Sequence, residues 1–123
     1  WFGGSAYGSG DFLMLNGFIG LGIHDGLALV TEVSTTRRTI EYDTFNGWVG
    51  LWYTPPPLAW LTLSGRVERA QTMVPGDEDV AWSYVGSVEL FPIPYVEVRP
   101  EYRLVETEDY LFGQATVQVH LFY

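Results

Sequence analysis

The stretch LFGQATVQVHLFY, residues Leu111–Tyr123, decides the fold class of this chain. Its odd-numbered positions are apolar or glycine throughout, whereas its even-numbered positions are glutamine, threonine and histidine between Phe112 and Phe122. Successive side chains of a β-strand point to opposite faces, whereas a helix would mix the two sets on every side. The stretch therefore predicts a strand with one apolar face and one largely polar face.

The segment before it, Tyr95–Val105, alternates in the same way and concentrates charge on one face. Its other face is apolar and includes Pro100. Because proline has no amide hydrogen to donate to a neighbouring strand, we expect a bulge or weakened pairing there. Four charges of alternating sign stand in line on the polar face: Glu97, Arg99, Glu101 and Arg103.

Five further segments alternate with a period of two, and no segment predicts a helix. They are Phe12–His24, Leu27–Thr36, Phe45–Tyr53, Ala59–Arg69 and Ala81–Phe91. The glycine-rich residues 1–10 predict only a weak first strand. Short Gly and Pro links at 24–26, 54–58 and 91–94 alternate along the chain with charged links at 35–44, 70–80 and 106–109. In an up-and-down sheet, one end then has tight turns and the other has polar loops.

Composition limits the classes of function. The 123 residues predict a single domain, 1–123, and the formal net charge of −9 argues against nucleic acid as a partner because few side chains can neutralise phosphates. The absence of cysteine excludes disulfides and thiolate metal sites within the chain. No stretch approaches the apolar length of a membrane-spanning helix. The chain is also too rich in apolar and aromatic residues to be disordered.

The direction of the apolar face decides between a soluble sheet and a membrane sheet. The apolar faces extend over lengths that match the roughly 9–11 residues of a tilted transmembrane strand, and their middles carry no charge. We therefore predict an all-β, antiparallel, up-and-down transmembrane β-barrel of about eight strands, or the C-terminal part of a larger barrel. Aromatic residues near strand ends suit a membrane interface: Phe45, Tyr53, Trp60, Phe91, Tyr95, Tyr102, Tyr110, Phe122 and Tyr123.

The terminal Leu121-Phe122-Tyr123 resembles the last strand of bacterial outer-membrane β-barrel proteins, which commonly end on an aromatic residue. Pro94–Arg103, followed by a polar loop and Gln114–Tyr123, is similar to the last hairpin of porin-like barrels, and Trp60–Arg69 is similar in style. The resemblance covers about residues 11–123. It implies a location in the bacterial outer membrane, with the lipid bilayer as partner; a plugging or neighbouring membrane protein is left open.

The candidate site is a network of charges facing the barrel lumen. It comprises Arg66, Glu68, Glu89, Glu97, Arg99, Glu101 and Arg103. We expect the last four to pair across strands with the first three, because like faces of adjacent strands bring side chains together. Mutually neutralising pairs that fill and rigidify the lumen are favoured over a pore lining or a polar ligand site, because about eight strands leave room for little else.

Other polar residues suggest no chemistry. His24 and His120 lack nearby partners and are interpreted as satisfied or interfacial histidines. The run Asp77–Asp79 is interpreted as a solvated acidic loop, since its spacing is not that of a calcium loop. We therefore predict no catalytic residues, no cofactor and no metal, and hence no enzyme.

Two functions from different classes remain. The first is an outer-membrane β-barrel protein, either structural or porin-like, with a charged Glu/Arg lumen. The second is a soluble up-and-down β-barrel that binds an apolar ligand inside. Partitioning into membranes and a need for detergent distinguish the two.

Overall fold

Eight antiparallel strands follow one another along the chain in the computed structural model, which describes residues 1–38 and 42–122. Each strand pairs with the strands before and after it, so the sheet order is the sequence order. The prediction of an all-β, antiparallel, up-and-down sheet is confirmed. The strands are β1 Phe2–Ser9, β2 Phe12–His24, β3 Leu27–Arg38, β4 Asp43–Tyr53, β5 Leu61–Val74, β6 Asp77–Ile93, β7 Val96–Glu106 and β8 Leu111–Leu121.

Three segments form more strand than the sequence pattern indicates. The expected turn 91–94 is largely strand, because β6 continues to Ile93 and the turn is formed by Pro94 and Tyr95. The glycine-rich start is β1, which pairs with β2 without interruption from Phe2 to Ser9. The expected polar link 70–80 is wrong, because β5 and β6 extend into it and only Pro75 and Gly76 form the turn. The backbone of Gly76, with φ of 90°, takes the left-handed conformation that glycine adopts without steric cost. Residues 39–41 of the expected link 35–44 lie outside the described residues.

Proline residues form part of the link between β4 and β5 and interrupt the pairing of β6 with β7. The link between β4 and β5 contains the short 3-10 turn Pro56–Leu58, and no helix among the described residues is long and apolar enough to cross a membrane. At Pro100, the expected weakening is seen: β6 and β7 pair at Ser87↔Glu101 and next at Leu90↔Val98, with no ladder pair for Pro100 or Arg99 between them, and the register shifts between Leu90 and Ile93. Towards β8 the ladder is continuous, and Pro100 is opposite Val117.

The register sorts the side chains onto two faces. The polar face carries all seven predicted lumen residues, and the apolar face carries the alternating Leu, Ile, Val and Gly positions. Burial runs opposite to that of a water-soluble sheet. The buried positions all belong to the polar face: Gly20, Gly50, Val85, Ser87 and Glu97. On the apolar face, Leu21, Leu51 and Val117 are exposed.

The sheet is open. Within the described residues β1 and β8 are edge strands with one neighbour each, so the expected closure into a barrel is not seen. The accessible surface is 8481 Å², whereas a compact monomer of 13.9 kDa exposes roughly 6,700 Å². Val85 is the one buried large apolar residue in the part described. The fold therefore has no conventional apolar core.

Candidate functional site: the polar face of the sheet

Four of the predicted lumen residues form a closed circuit of ion pairs, called here the ion ring: Arg66 and Glu68 of β5, and Glu101 and Arg103 of β7. Arg66 Nε lies 2.5 Å from Glu68 Oε1, and Arg66 Nη2 lies 3.4 Å from Glu101 Oε2. Arg103 Nη1 lies 2.7 Å from Glu68 Oε2, and its Nη2 lies 3.6 Å from Glu101 Oε1. Each carboxylate therefore contacts both guanidinium groups, and the ring has no net charge.

The strand between β5 and β7 makes the ion ring possible. Val85 of β6 is directly opposite both Arg66 and Arg103, so these two arginines flank it. Beside Val85, β6 places Ser83 and Ser87 on the same face. Because these side chains are small, the long side chains of the ring reach across them, and Val85 and Ser87 are only 5% and 6% exposed. The ring therefore covers β6 and links β5 to β7 through side chains.

A second ion pair lies next to the interruption at Pro100. Arg99 Nη2 of β7 is 3.5 Å from Glu89 Oε1 of β6, as expected for neighbours on one face. The Nε atom of Arg99 is buried and has no hydrogen-bond partner within the described residues. This pair is consequently less fully satisfied than the ion ring.

Glu97 has a different partner from the one expected. Its Oε2 lies 3.1 Å from Nδ1 of His120, which is directly opposite on β8. No contact with Arg66, or with any other cation of β5, is among its described interactions. The physical reason is position along the strand: β5 begins only at Leu61, so the charged part of β5 lies well away from Glu97. Glu97 is 8% exposed, and His120 is the residue that satisfies it.

The first half of the polar face contains a group that the sequence reasoning did not single out. Phe18 of β2, Glu32 of β3 and Trp48 of β4 are direct cross-strand neighbours. Asn16 Nδ2 donates a 2.5 Å hydrogen bond to Glu32 Oε1. The ring centroids of Trp48 and Trp52 are 5.6 Å apart in an edge-to-face arrangement. The sequence did indicate part of this group, because the alternation of Phe45–Tyr53 puts Trp48 and Trp52 on the polar face.

The remaining polar candidates form no site. His24 is the last residue of β2, and Asp77–Asp79 is the start of β6 instead of a loop. Gln71 Nε2 donates to Glu78 Oε1 at 2.6 Å, which ties the two strands together beside the turn. Across residues 1–38 and 42–122, no three acidic or histidine side chains are grouped so that they could hold a metal ion.

The apolar face is open and contains a shallow groove. The groove has a volume of about 670 Å³ and lies over the neighbouring glycines Gly65 and Gly86, with Leu51, Val67 and Tyr84 among its walls. Charges on this face include the pair Arg37–Asp43 at the end with the polar loops, and Arg69 of β5, which donates to Gln71 and lies over the ring of Trp82. Tyr102, expected with the strand-end aromatics, instead lies in the middle of β7. Tyr123 lies outside the described residues.

Two arrangements thus share the polar face. Ion pairs dominate β5 to β8, and a single carboxylate among aromatic residues occupies β2 to β4.

No protein-family model, no curated protein and no solved structure matches this chain.

Proposed function

We propose that this chain is an outer-membrane β-barrel protein of the structural or porin-like kind, located in the bacterial outer membrane. In this proposal the apolar face of the sheet contacts lipid and the polar face lines the lumen. The ion ring and the pair Arg99–Glu89 fill and rigidify that lumen, and the chain has no catalytic function. The lipid bilayer is its principal partner.

The inverted burial of the two faces carries this proposal. In water, apolar side chains gain about 25 cal/mol for every Å² removed from solvent, so a soluble sheet buries its apolar face. Here Val117 is 68% exposed and Leu21 is 54% exposed, whereas the charged Glu97 is buried. Lipid is the environment that turns this arrangement into a favourable one, because acyl chains solvate the apolar face and the charges remain on the other side.

The dimensions of the apolar face support the same environment. On β7, uncharged side chains occupy this face from Val96 to Leu104. From Val96 to Leu104 there are eight steps of about 3.4 Å, so the apolar face extends roughly 27 Å along the strand. A tilt of about 40° reduces this to about 21 Å across the membrane, comparable to the apolar band of about 25 Å in membrane barrels. Eight acidic residues lie beyond this band at the end with the polar loops, whereas Asp25 alone lies in a described turn at the other end. The eight are Asp11, Asp43, Asp77, Glu78, Asp79, Glu106, Glu108 and Asp109.

The edge strands support completion of the sheet by further pairing. Every Asp, Glu and Arg of the chain lies between Asp11 and Asp109, so β1 and β8 carry none of them, and neither contains proline. Soluble proteins commonly protect sheet edges with such residues. In lipid an unpaired edge is very costly, because its N–H and C=O groups find no water. Pairing of β1 with β8 and pairing with strands of a larger barrel both satisfy these edges.

The soluble alternative is less well supported. A barrel that binds an apolar ligand inside needs its apolar side chains on the enclosed face. In this sheet the apolar groove beside Gly65 and Gly86 is on the exposed face. The more buried face instead carries the ion ring.

A pair of single-cysteine variants tests the proposed membrane placement directly. The chain has no cysteine, so Val117→Cys and Gln118→Cys each accept one environment-sensitive dye. The two positions are adjacent on β8 but belong to opposite faces. In vesicles containing brominated lipids, we expect strong quenching of the dye at position 117 and weak quenching at position 118. Equal or reversed quenching would refute the lipid-facing assignment.

A second experiment decides how the edges are completed. The variant Ser5→Cys/Thr116→Cys places one thiol on the polar face of each edge strand. A short bifunctional maleimide that links them within one chain supports closure of β1 on β8. Failure to link, together with a large and stable single-channel conductance, supports a larger barrel. The double variant Ser5→Cys/Glu68→Cys is the control, because its thiols lie on β1 and on the central strand β5.

A further inference from the structure

Glu32 differs from the other carboxylates in the middle of the polar face. Glu68 and Glu101 contact arginines in the ion ring, Glu89 contacts Arg99 and Glu97 contacts His120. The described partner of Glu32 is the neutral amide of Asn16. Trp48 lies between Glu32 and Glu68 in the same cross-strand row, and it separates Glu32 from the cations of the ion ring. Glu32 therefore presents a negative charge that no cation of the described chain neutralises.

Aromatic residues are the direct cross-strand neighbours of Glu32 on both adjacent strands. Phe18 is its neighbour on β2, and Trp48 is its neighbour on β4. Trp52 packs edge-to-face against Trp48 at 5.6 Å, and Trp1 lies 5.8 Å from the ring of Phe18. All of these rings are partly exposed, so a small molecule can reach them. The group combines one carboxylate with several accessible π faces.

Two glycines in the next cross-strand row make room for the rings of Trp1 and Trp52. A side chain at Gly20 would collide with the ring of Trp1, and one at Gly50 would collide with the ring of Trp52. Gly20 and Gly50 are both opposite Val30, which lies two residues before Glu32 on β3. The rings of Trp1 and Trp52 thus lie close against the sheet in the row next to that of Glu32, and the ring of Phe18 lies over Gly3 of β1.

We propose that Phe18, Glu32, Trp48 and Trp52 form a binding site for an organic ammonium ion of the quaternary class. A cation above an aromatic face is attracted by the ring quadrupole, by about 0.5–2 kcal/mol for each favourable contact. The Glu32 carboxylate adds the opposite charge. Phe18, Trp48 and Trp52 offer no side-chain hydrogen-bond acceptor, and one oxygen of Glu32 already accepts from Asn16. A cation without N–H donors therefore fits it better than a primary amine or a guanidinium group.

Other ligand classes fit less well. An anion would meet the charge of Glu32 directly. A hydrated divalent metal requires several oxygen ligands, whereas a single carboxylate is available beside the aromatic rings. The site depends only on the polar face of β2 to β4, so it does not rest on the proposed membrane location.

Calorimetric titration of the full folded chain with choline tests this site. The matched probe is 3,3-dimethylbutan-1-ol, which has the shape of choline without the charge. A maltoside detergent is suitable, because phosphocholine and amine-oxide detergents would compete for the site. We expect saturable binding of choline and binding of the alcohol weaker by at least about tenfold. Equal binding of the two probes, or no choline binding at millimolar concentrations, would overturn the proposal.

Two variants assign the binding to the named residues. Glu32→Gln keeps the shape of the side chain and removes its charge, so we expect choline affinity to fall by about tenfold or more, to the level of the alcohol. Glu78→Gln, beside the turn between β5 and β6, is the control and should leave choline binding unchanged. An unchanged affinity in Glu32→Gln with an unchanged circular dichroism spectrum would exclude this site. Loss of binding in Glu78→Gln would do the same.

Discussion

Arg103 Nη1 of β7 lies 2.7 Å from Glu68 Oε2 of β5, although β6 runs between the two strands. The contact depends on the small side chains that β6 presents at this point, with Val85 directly beneath the ring. Long side chains on one face then meet across two strand spacings, about 10 Å in all. The stability of this half of the sheet therefore depends on side-chain pairs as well as on backbone hydrogen bonds.

A double-mutant cycle on Glu68 and Arg103 should give a substantial coupling energy. We expect Arg103→Ala alone to lower the free energy of unfolding by about 1–3 kcal/mol, because Glu68 loses a close partner in a partly buried place. The double variant Glu68→Ala/Arg103→Ala should cost less than the sum of the single variants, with a coupling of about 0.5–3 kcal/mol. Urea unfolding in lipid vesicles provides the measurement.

The exposed pair Arg37–Asp43 is a matched control for this cycle. Its atoms are 3.5 Å apart, but the Arg37 side chain is 73% exposed, so solvent screens the pair. We expect its coupling to be clearly smaller than that of Glu68 and Arg103. Strict additivity at Glu68 and Arg103 would show that the ion ring contributes nothing as a unit.

Alternation along the strands was enough to predict the sheet and the face on which the charges meet. The period of two assigns every residue to a face, and consecutive hairpins make sequence neighbours into spatial neighbours. This is why Glu89 and Arg99 could be paired in advance. It also explains why the ion ring could be expected from Arg66, Glu68, Glu101 and Arg103 without knowledge of the coordinates.

Other features depend on where strands end, which alternation does not determine. The polar residues of 70–80 suggested a loop, yet polar side chains are compatible with a hairpin that extends beyond an apolar band. Because β5 begins at Leu61, the partner of Glu97 is His120 on the following strand. Whether such a sheet closes depends on the tilt and register of all its strands together, and no local pattern contains these quantities.

Glycine positions on the two faces should respond oppositely to alanine. A Cβ atom at Gly50 would lie 2.7 Å from the ring of Trp52 and 3.0 Å from the backbone oxygen of Gly65. We therefore expect Gly50→Ala to lower the free energy of unfolding by about 1–3 kcal/mol. The control is Gly86→Ala on the apolar face, where a Cβ atom meets nothing within 4 Å. It should leave stability unchanged or raise it by up to about 1 kcal/mol. Equal effects in urea unfolding would contradict the difference in packing.

A charge placed on the apolar face should impair insertion into lipid. Val117→Arg is expected to destabilise the folded chain in vesicles by about 2–4 kcal/mol if position 117 lies near the midplane. The control is Thr116→Arg, one residue away on the polar face and directly opposite Glu101, where an added arginine has a partner. We expect it to cost less than about 1 kcal/mol. If Thr116→Arg proved the more damaging change in the same refolding assay, the assignment of faces would be reversed.

The two ends of the sheet should lie on opposite sides of the outer membrane. Membrane barrels have short periplasmic turns and longer, more polar segments outside. The turn with Pro56 lies at the end that also contains the end of β8, whereas Asp77 lies at the opposite, acidic end.

Because the chain has no cysteine, Asp77→Cys and Pro56→Cys each give a unique thiol. On intact bacteria we expect a membrane-impermeant maleimide to label the variant at position 77 and to leave the variant at position 56 unlabelled until the outer membrane is permeabilised. Labelling of position 56 alone on intact cells would invert the topology, and equal labelling of both positions would contradict a membrane-spanning sheet.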